Sequence, residues 1–159
     1  MRAARFLLLG LLFVSNPALA GTANGSGALA VAALVGEVAP TLGAAEKDAL
    51  MQLLDGKTGF SFPAGKTIPV AAGKVTCRAG NVDITSHACH LSFGGQVISL
   101  TGRRAHELFA TLAEIGVEPD GAAGSTFESV SNLKCTIDPN EVKQKAGGGG
   151  AECQYAPAN

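Results

Sequence analysis

The 159-residue sequence contains no apolar run of the roughly 20 residues that a membrane-spanning helix requires, and no run of lysine or arginine. We therefore expect no membrane span in the mature protein. Twelve basic and thirteen acidic side chains give a net charge of −1, and removal of a leader carrying two arginines would make it −3. A mildly negative chain without a basic cluster lacks the electrostatic footprint of nucleic-acid binding, so we expect no nucleic-acid partner.

Common catalytic signatures are also missing from the sequence. It has no G-x-S-x-G nucleophile elbow, no H-E-x-x-H pair and no EF-hand loop. The carboxylates are scattered singly, so no pair stands out for general acid and base catalysis. We assign no catalytic residue and no cofactor. A small secreted enzyme, with a site assembled from distant residues, is kept as an alternative function.

The N-terminal residues have the pattern of a secretory signal peptide. Arg2 and Arg5 precede the apolar stretch Phe6 to Val14, and Ala18-Leu19-Ala20 supplies a small-x-small cleavage site. We expect residues 1–20 to be removed and the protein to be exported to the periplasm or the cell exterior.

The rest of the chain has the length of one domain. Residues 21–27 are rich in Gly, Ser, Asn and Thr and are predicted to form a frayed, flexible N-terminus. Residues 28–159 are predicted to form a single α+β domain. Its first segment, residues 28–35, is apolar on every side and is closed by Gly36 and Pro40, a pattern that fits either a short buried helix or a packed extended arm.

Helical spacing occurs twice after this segment. Apolar residues recur at helical intervals between Ala44 and Leu54, and Gly56 is placed as a C-terminal stop. A second apolar face runs from Ala105 to Ile115, with Thr101 as its expected N-cap and Gly116 as its end.

Alternating apolar and polar residues predict the strands. The alternation covers residues 74–78, 133–137 and 153–155, and residues 89–101 form an expected hairpin around Gly94-Gly95. Together with the helical segments, this order predicts an α+β fold with a small, mostly antiparallel sheet, two or three helices and two disulfides.

The four cysteines predict structural disulfides. Cys77, Cys89, Cys135 and Cys153 each fall in the apolar phase of a strand, so their sulfur atoms should face the core. An even count in an exported chain favours bridges, and the sequence alone allows three pairings. We expect Cys77 to pair with Cys89 and Cys135 with Cys153, because each pair brackets a turn-rich loop between two strand-like segments.

A histidine cluster raises metal binding as a second alternative function. His87 and His90 flank Cys89, but residues three apart on a strand point to opposite faces. A metal-binding protein using His87 and His90 would need an unusual convergence in space, with His106 as the third histidine. We therefore assign no metal ligand.

Two features indicate a binding surface. Arg103 and Arg104 occupy the first turn of a predicted helix, where the helix dipole disfavours cations. Lys143 and Lys145 lie in the segment 138–150, which is predicted to be a projecting loop with a flexible, glycine-rich limb. These four residues are the candidate binding surface.

Taken together, the sequence favours an exported, disulfide-stapled binding or interaction protein over an enzyme. The expected partner is another protein or a small anionic ligand, and an inhibitor is one form that such a protein takes.

Overall fold

A computed structural model describes residues 20–57, 66–80, 83–117, 127–144 and 149–158. Residues 1–19, nearly all of the predicted leader, lie outside these ranges. The strands are β1 (Gly21–Asn24), β2 (Ile68–Arg78), β3 (Ala88–Phe93), β4 (Gln96–Thr101), β5 (Phe127–Ile137) and β6 (Ala151–Pro157). The helices are α1 (Ser26–Val38), α2 (Ala44–Leu54), α3 (Gly102–Glu114) and α4 (Pro139–Gln144), with a short 3-10 helix at Ile84–Ser86.

The strands form one six-stranded antiparallel sheet in the order β1-β6-β5-β2-β3-β4. α1 and α3 lie side by side against one face of this sheet, and α2 packs on α1. The core lies between these layers. The predicted α+β class with a mostly antiparallel sheet is therefore confirmed. Within the described ranges, no helix is both long and apolar enough to cross a membrane.

α1 settles the choice that the sequence left open between a helix and an extended arm. It is apolar on nearly all sides because the sheet, α2 and α3 surround it. Gly36, expected to close the segment, instead lies inside the helix. A Cβ atom there would come within 2.7 Å of Leu50 Cδ1, so this glycine lets α1 and α2 pack closely.

The other predicted helices and the hairpin agree with the structure. α2 and α3 end within two residues of Gly56 and Gly116, as expected. Thr101 is the N-cap of α3, but its side chain makes no capping hydrogen bond. Gly94 and Gly95 connect β3 to β4 with φ values of 56° and 96°, a turn that glycine adopts without steric cost.

Both predicted disulfides are present. Cys77–Cys89 joins directly opposite residues of β2 and β3, and Cys135–Cys153 does the same for β5 and β6. All four side chains are at most 2% exposed. The inward orientation predicted from the strand alternation is confirmed, and the two other pairings are excluded.

The predicted frayed N-terminus at residues 21–27 is corrected by the structure. Gly21–Asn24 forms β1, which pairs antiparallel with β6, and α1 begins at Ser26. Gly21 lies against the ring of Tyr155, where a Cβ atom would not fit. The glycine-rich composition of residues 21–27 suggested flexibility, but the glycine at position 21 is needed for close packing against Tyr155.

The described residues of the segment 138–150 form a helix and a turn rather than a projecting loop. Pro139–Gln144 forms α4, and Asp138 Oδ1 accepts hydrogen bonds from the N–H groups of Asn140 at 2.9 Å and Glu141 at 3.3 Å. Asp138 N donates to Gly150 O at 2.7 Å, which closes the base of the connection. Residues 145–148, including Lys145, lie outside the described residues.

β2 and β5 are longer than their alternation predicts because the pattern changes phase within each strand. Ala72 and Val75 both face the core although they are three positions apart, where strict alternation would place them on opposite faces; Leu133 marks the same change in β5. Gly73 and Asn132, which has a φ of 53°, lie between the registered pairs Ala72–Leu133 and Lys74–Ser131 at this point. In both strands, therefore, the set of alternate side chains that faces the helices changes at this point.

Candidate functional site

The described helices leave the opposite face of the sheet uncovered. We call one part of it the open corner: the outward side of residues 74–78 of β2, 88–92 of β3 and 97–101 of β4. An antiparallel sheet commonly keeps one such solvated face. The outward side chains of the open corner are mostly short and polar: Lys74, Thr76, Arg78, Ala88, His90, Ser92, Val97, Ser99 and Thr101.

Four side chains form a polar row straight across this face. Thr76 lies opposite both Ser129 on β5 and His90 on β3, and His90 lies opposite Ser99 on β4. Ser129 Oγ donates to Thr76 Oγ1 at 3.0 Å, and His90 Nδ1 and Ser99 Oγ share a hydrogen bond of 2.8 Å. Ser129 is buried, whereas His90 and Ser99 are exposed, so the row opens to solvent toward β4.

A depression of about 380 Å³ lies beside the polar row. It is lined by Thr76, Arg78, Ala79, Gly80, Ser86, Ala88 and His90. Hydroxyl, imidazole and guanidinium groups are hydrogen-bond donors that suit an oxygen-rich, anionic group.

The charge of the open corner differs from that of the whole chain. β2, β3 and β4 contain Lys74 and Arg78, and they contain no acidic residue. The chain as a whole carries a net charge of −1. These three strands therefore carry a net positive charge, opposite in sign to that of the chain.

Arg103 and Arg104 have carboxylate partners within the chain. Glu107 accepts hydrogen bonds from Arg103 Nε at 2.8 Å and from Arg104 Nη1 at 2.9 Å. Arg104 Nε also lies 3.3 Å from Glu37 Oε2. Two carboxylates close by offset the unfavourable position of these cations at a helix N-terminus.

These ion pairs also set the electrostatics of the groove that contains them. Hydrogen bonding to Glu107 raises the pKa of Arg104 above its usual value. Burial acts to raise the pKa of Glu107, but the hydrogen bonds and the positive charges of Arg104 and Arg103 together lower it. The groove, of about 620 Å³, is also lined by Asp55. Its cations are thus matched by carboxylates, which leaves little attraction for an anionic ligand.

The structure separates the residues that the sequence grouped as one binding surface. Lys143 belongs to α4, which follows Ile137 at one end of β5. Arg103 and Arg104 come directly after Thr101, at the end of β4. Across the sheet, Thr101 is aligned with the first residue of β5, at the end opposite to Ile137. Arg103 and Arg104 therefore lie at the opposite end of the sheet from Lys143, and Lys145 lies outside the described residues.

His87 and His90 lie on different sides of the sheet. His90 belongs to the polar row, whereas the ring of His87 packs edge-on against His106, with His106 Nδ1 3.3 Å from His87 Nε2, and against Phe109. The contact between His87 and His106 joins residues that are 19 apart in the chain, so spacing alone did not reveal it. In the described part of the chain, no three His, Cys, Asp or Glu side chains are placed to hold one metal ion.

Comparison with protein-family models, with curated proteins and with solved structures finds no match to this chain. The geometry of the site is therefore the basis for assigning a function.

Proposed function

We propose that the chain is an exported, disulfide-stapled binding protein that recognises an acidic segment of another protein on the open corner. The observation that carries the proposal is the charge of this surface. Lys74, Arg78 and His90 lie on it, and its three strands contain no acidic residue, so their side chains carry a net positive charge. The Arg103–Arg104 groove is less suited to the same task because the carboxylates of Glu107 and Glu37 offset its two positive charges.

The polar row supports recognition because its side chains are already ordered. Thr76 is held by Ser129, and His90 is held by Ser99. Serine and threonine have few rotamers to lose, so binding to them costs little conformational entropy. A preordered, shallow surface is suited to a protein partner, and an inhibitor of an exported enzyme is one form that the protein could take.

Two features support export. The buried disulfides Cys77–Cys89 and Cys135–Cys153 are of a kind that persists in oxidising compartments. Residues 1–20 have the charge pattern and cleavage site of a signal peptide.

Titration of the isotope-labelled mature protein with an oligoglutamate peptide tests the binding surface. We expect the largest NMR shift changes at Thr76, His90 and Ser99, and we expect them to weaken with added salt because exposed charges are screened. An oligolysine peptide of equal length is the control and should cause no such changes. Changes centred on Arg103 and Arg104 would contradict the proposal.

A matched pair of lysine substitutions tests the role of charge. Lys74 and Lys134 are both exposed on the uncovered face, but Lys134 is on β5, outside the open corner. Lys74→Glu should weaken binding of the acidic peptide about tenfold through like-charge repulsion. Lys134→Glu should leave the affinity nearly unchanged. Equal losses of affinity for the two variants would show that the whole uncovered face, rather than the open corner, attracts the acidic peptide.

A hydrolytic enzyme is the second candidate, and one observation favours it. The 2.8 Å hydrogen bond between His90 Nδ1 and Ser99 Oγ has the length expected between a nucleophile and its base. Both side chains are exposed, so water weakens the electrostatic stabilisation that catalysis requires. A serine-directed phosphonate reagent decides the question: stoichiometric labelling of Ser99 would favour the enzyme.

A further inference from the structure

In the part of the chain that the structure describes, β4 is an edge strand, and its own residues lack the features that usually protect a sheet edge. Among the described residues, it pairs only with β3. Its six residues, Gln96–Thr101, include no charge and no proline, and Val97 is 63% exposed. The opposite edge strand, β1, has only four residues. Short or charged edge strands resist pairing with other chains, whereas a longer uncharged one is a template for it.

The orientation of the backbone groups shows which of them face the free edge. Gly102 N donates to His87 O at 3.0 Å, which identifies these two residues as a hydrogen-bonded pair. Hydrogen-bonded and non-hydrogen-bonded pairs alternate along antiparallel strands. The even-numbered residues of β4 therefore bond to β3, and the odd-numbered residues Val97, Ser99 and Thr101 direct their N–H and C=O groups outward.

We propose that β4 pairs antiparallel with β4 of a second copy of this chain, about a twofold axis at Ser99, and joins the two six-stranded sheets into one. This inference goes beyond the proposed function and does not depend on it.

The spacing of the outward backbone groups fits such a twofold axis. Val97 and Thr101 are equally distant from Ser99 along the strand. Val97 would therefore exchange two hydrogen bonds with Thr101 of the second copy, and Ser99 would exchange two with Ser99 of that copy. Every outward N–H and C=O of these three residues is satisfied, and the symmetric interface closes at a dimer.

The side chains of β4 are also complementary to their own copies. Val97 would face Thr101, and Ile98 would face Leu100, which are the β-branched and apolar pairs that stabilise neighbouring strands. No like charges meet, because β4 carries none. Arg103, the first charge after the strand, would lie at the opposite end of the interface from its own copy.

Analytical ultracentrifugation of the mature protein from micromolar to millimolar concentration, combined with amide hydrogen exchange, tests the dimer. We expect the protein to dimerise as its concentration rises. Amide exchange at Val97, Ser99 and Thr101 should be slow at concentrations where the dimer is populated and fast at concentrations where the monomer is. A protein that stays monomeric throughout would refute the proposal. A dimer in which these amides exchange as fast as in the monomer would refute it as well, since another surface would then be responsible.

A charge-swap experiment tests the position of the axis. Ser99→Lys and Ser99→Glu each place a charge opposite its own copy, so each variant alone should be monomeric. An equimolar mixture should recover the dimer because opposite charges then meet. Thr136→Lys, an exposed change on β5, is the control and should dimerise like the wild type. Dimers of either Ser99 variant alone, or a mixture that stays monomeric while both variants melt like the wild type, would overturn the proposed axis.

Discussion

Glu128 on β5 lies directly opposite Cys77 on β2, on the face of the sheet that carries the core. Its side chain is 2% exposed, and Oε2 has no hydrogen-bond partner among the described residues. Burial raises the pKa of Glu128 to about 7, because ionisation would place a carboxylate in an apolar environment instead of in water.

The raised pKa predicts that stability falls as pH rises. The folded protein holds the Glu128 proton up to about pH 7, whereas a carboxyl group in an unfolded chain loses it near 4.5. The free energy of unfolding should therefore decrease between these values, by on the order of 3 kcal/mol in total. Glu128→Gln should remove this decrease and stabilise the protein at pH 8. Urea denaturation at pH 5 and pH 8 measures both effects, and the exposed Glu152→Gln should show neither.

Substitutions in the Arg103–Arg104 pair should have unequal effects on stability. Arg104 contacts two carboxylates and its side chain is 42% exposed, whereas Arg103 contacts one and is 84% exposed. Arg104→Ala should lower the free energy of unfolding by about 1 kcal/mol, and Arg103→Ala by less than about 0.5 kcal/mol. Replacing both with Glu should destabilise the protein, because the new carboxylates would face Glu37 and Glu107. A double Glu variant that melts higher would show that the helix dipole outweighs these ion pairs.

Removal of either disulfide should cost similar stability. Cys77–Cys89 spans a separation of 12 residues and Cys135–Cys153 one of 18. The chain-entropy relation gives about 3 kcal/mol for each. Paired Cys→Ala variants, compared by urea denaturation, check this. Because all four sulfur-bearing side chains are buried, reduction of the native protein should follow its unfolding rate; faster reduction would show that one bridge becomes exposed without global unfolding.

Asn132 should tolerate glycine but not a β-branched residue. Its φ of 53° lies in the left-handed region, where a β-branched side chain is strained. Asn132→Val should lower the free energy of unfolding by about 1–2 kcal/mol, and Asn132→Gly should leave it equal or higher. Thr136→Val, on the exposed side of the same strand, is the control. An Asn132→Val variant with an unchanged free energy of unfolding would argue against the switch of faces at this position.

Signal removal should leave a chain that begins at Gly21. This residue starts β1, so cleavage after Ala20 would keep the pairing of β1 with β6 intact. Intact mass of the exported protein measures the site. Cleavage inside β1, or a chain that still begins at Met1, would contradict the prediction.

The sequence predicts the parts of the fold that depend on local pattern. The α2 spacing, the Gly94-Gly95 turn and the inward cysteines of β2 and β3 each follow from a few neighbouring residues. β1 could not be predicted in this way, because its pairing partner, β6, lies at the other end of the chain. The phase change at Gly73 and Asn132 hid the full length of β2 and β5 for a related reason: it depends on two strands bending together.

The candidate site was harder to predict than the fold. Thr76 and Ser99 are unremarkable in the sequence, and His90 stands out there only as a possible metal ligand. The three side chains form a row only because the register of three strands aligns them. The alternation around Cys135 would place Glu128 on the solvent side of β5. The switch of faces places it instead on the core side, together with Val130. Arg103 and Arg104 did stand out, but Glu37, one of the two partners of Arg104, comes from α1, for which the sequence left a helix and an extended arm open.

Each disulfide ties a strand to its immediate neighbour, and neither crosses the boundary between β2 and β5. An oxidised chain therefore begins refolding with two small covalent loops already closed. The pairing of residues 68–78 with residues 127–137 must still be found by diffusion over a long separation, which is the slow kind of step in β-rich proteins. The bridges thus shorten the search for the β2–β3 and β5–β6 pairings. The pairing of β2 with β5 is left as the step that limits the folding rate. Covalent closure in this protein makes the native state more stable without making it much quicker to reach.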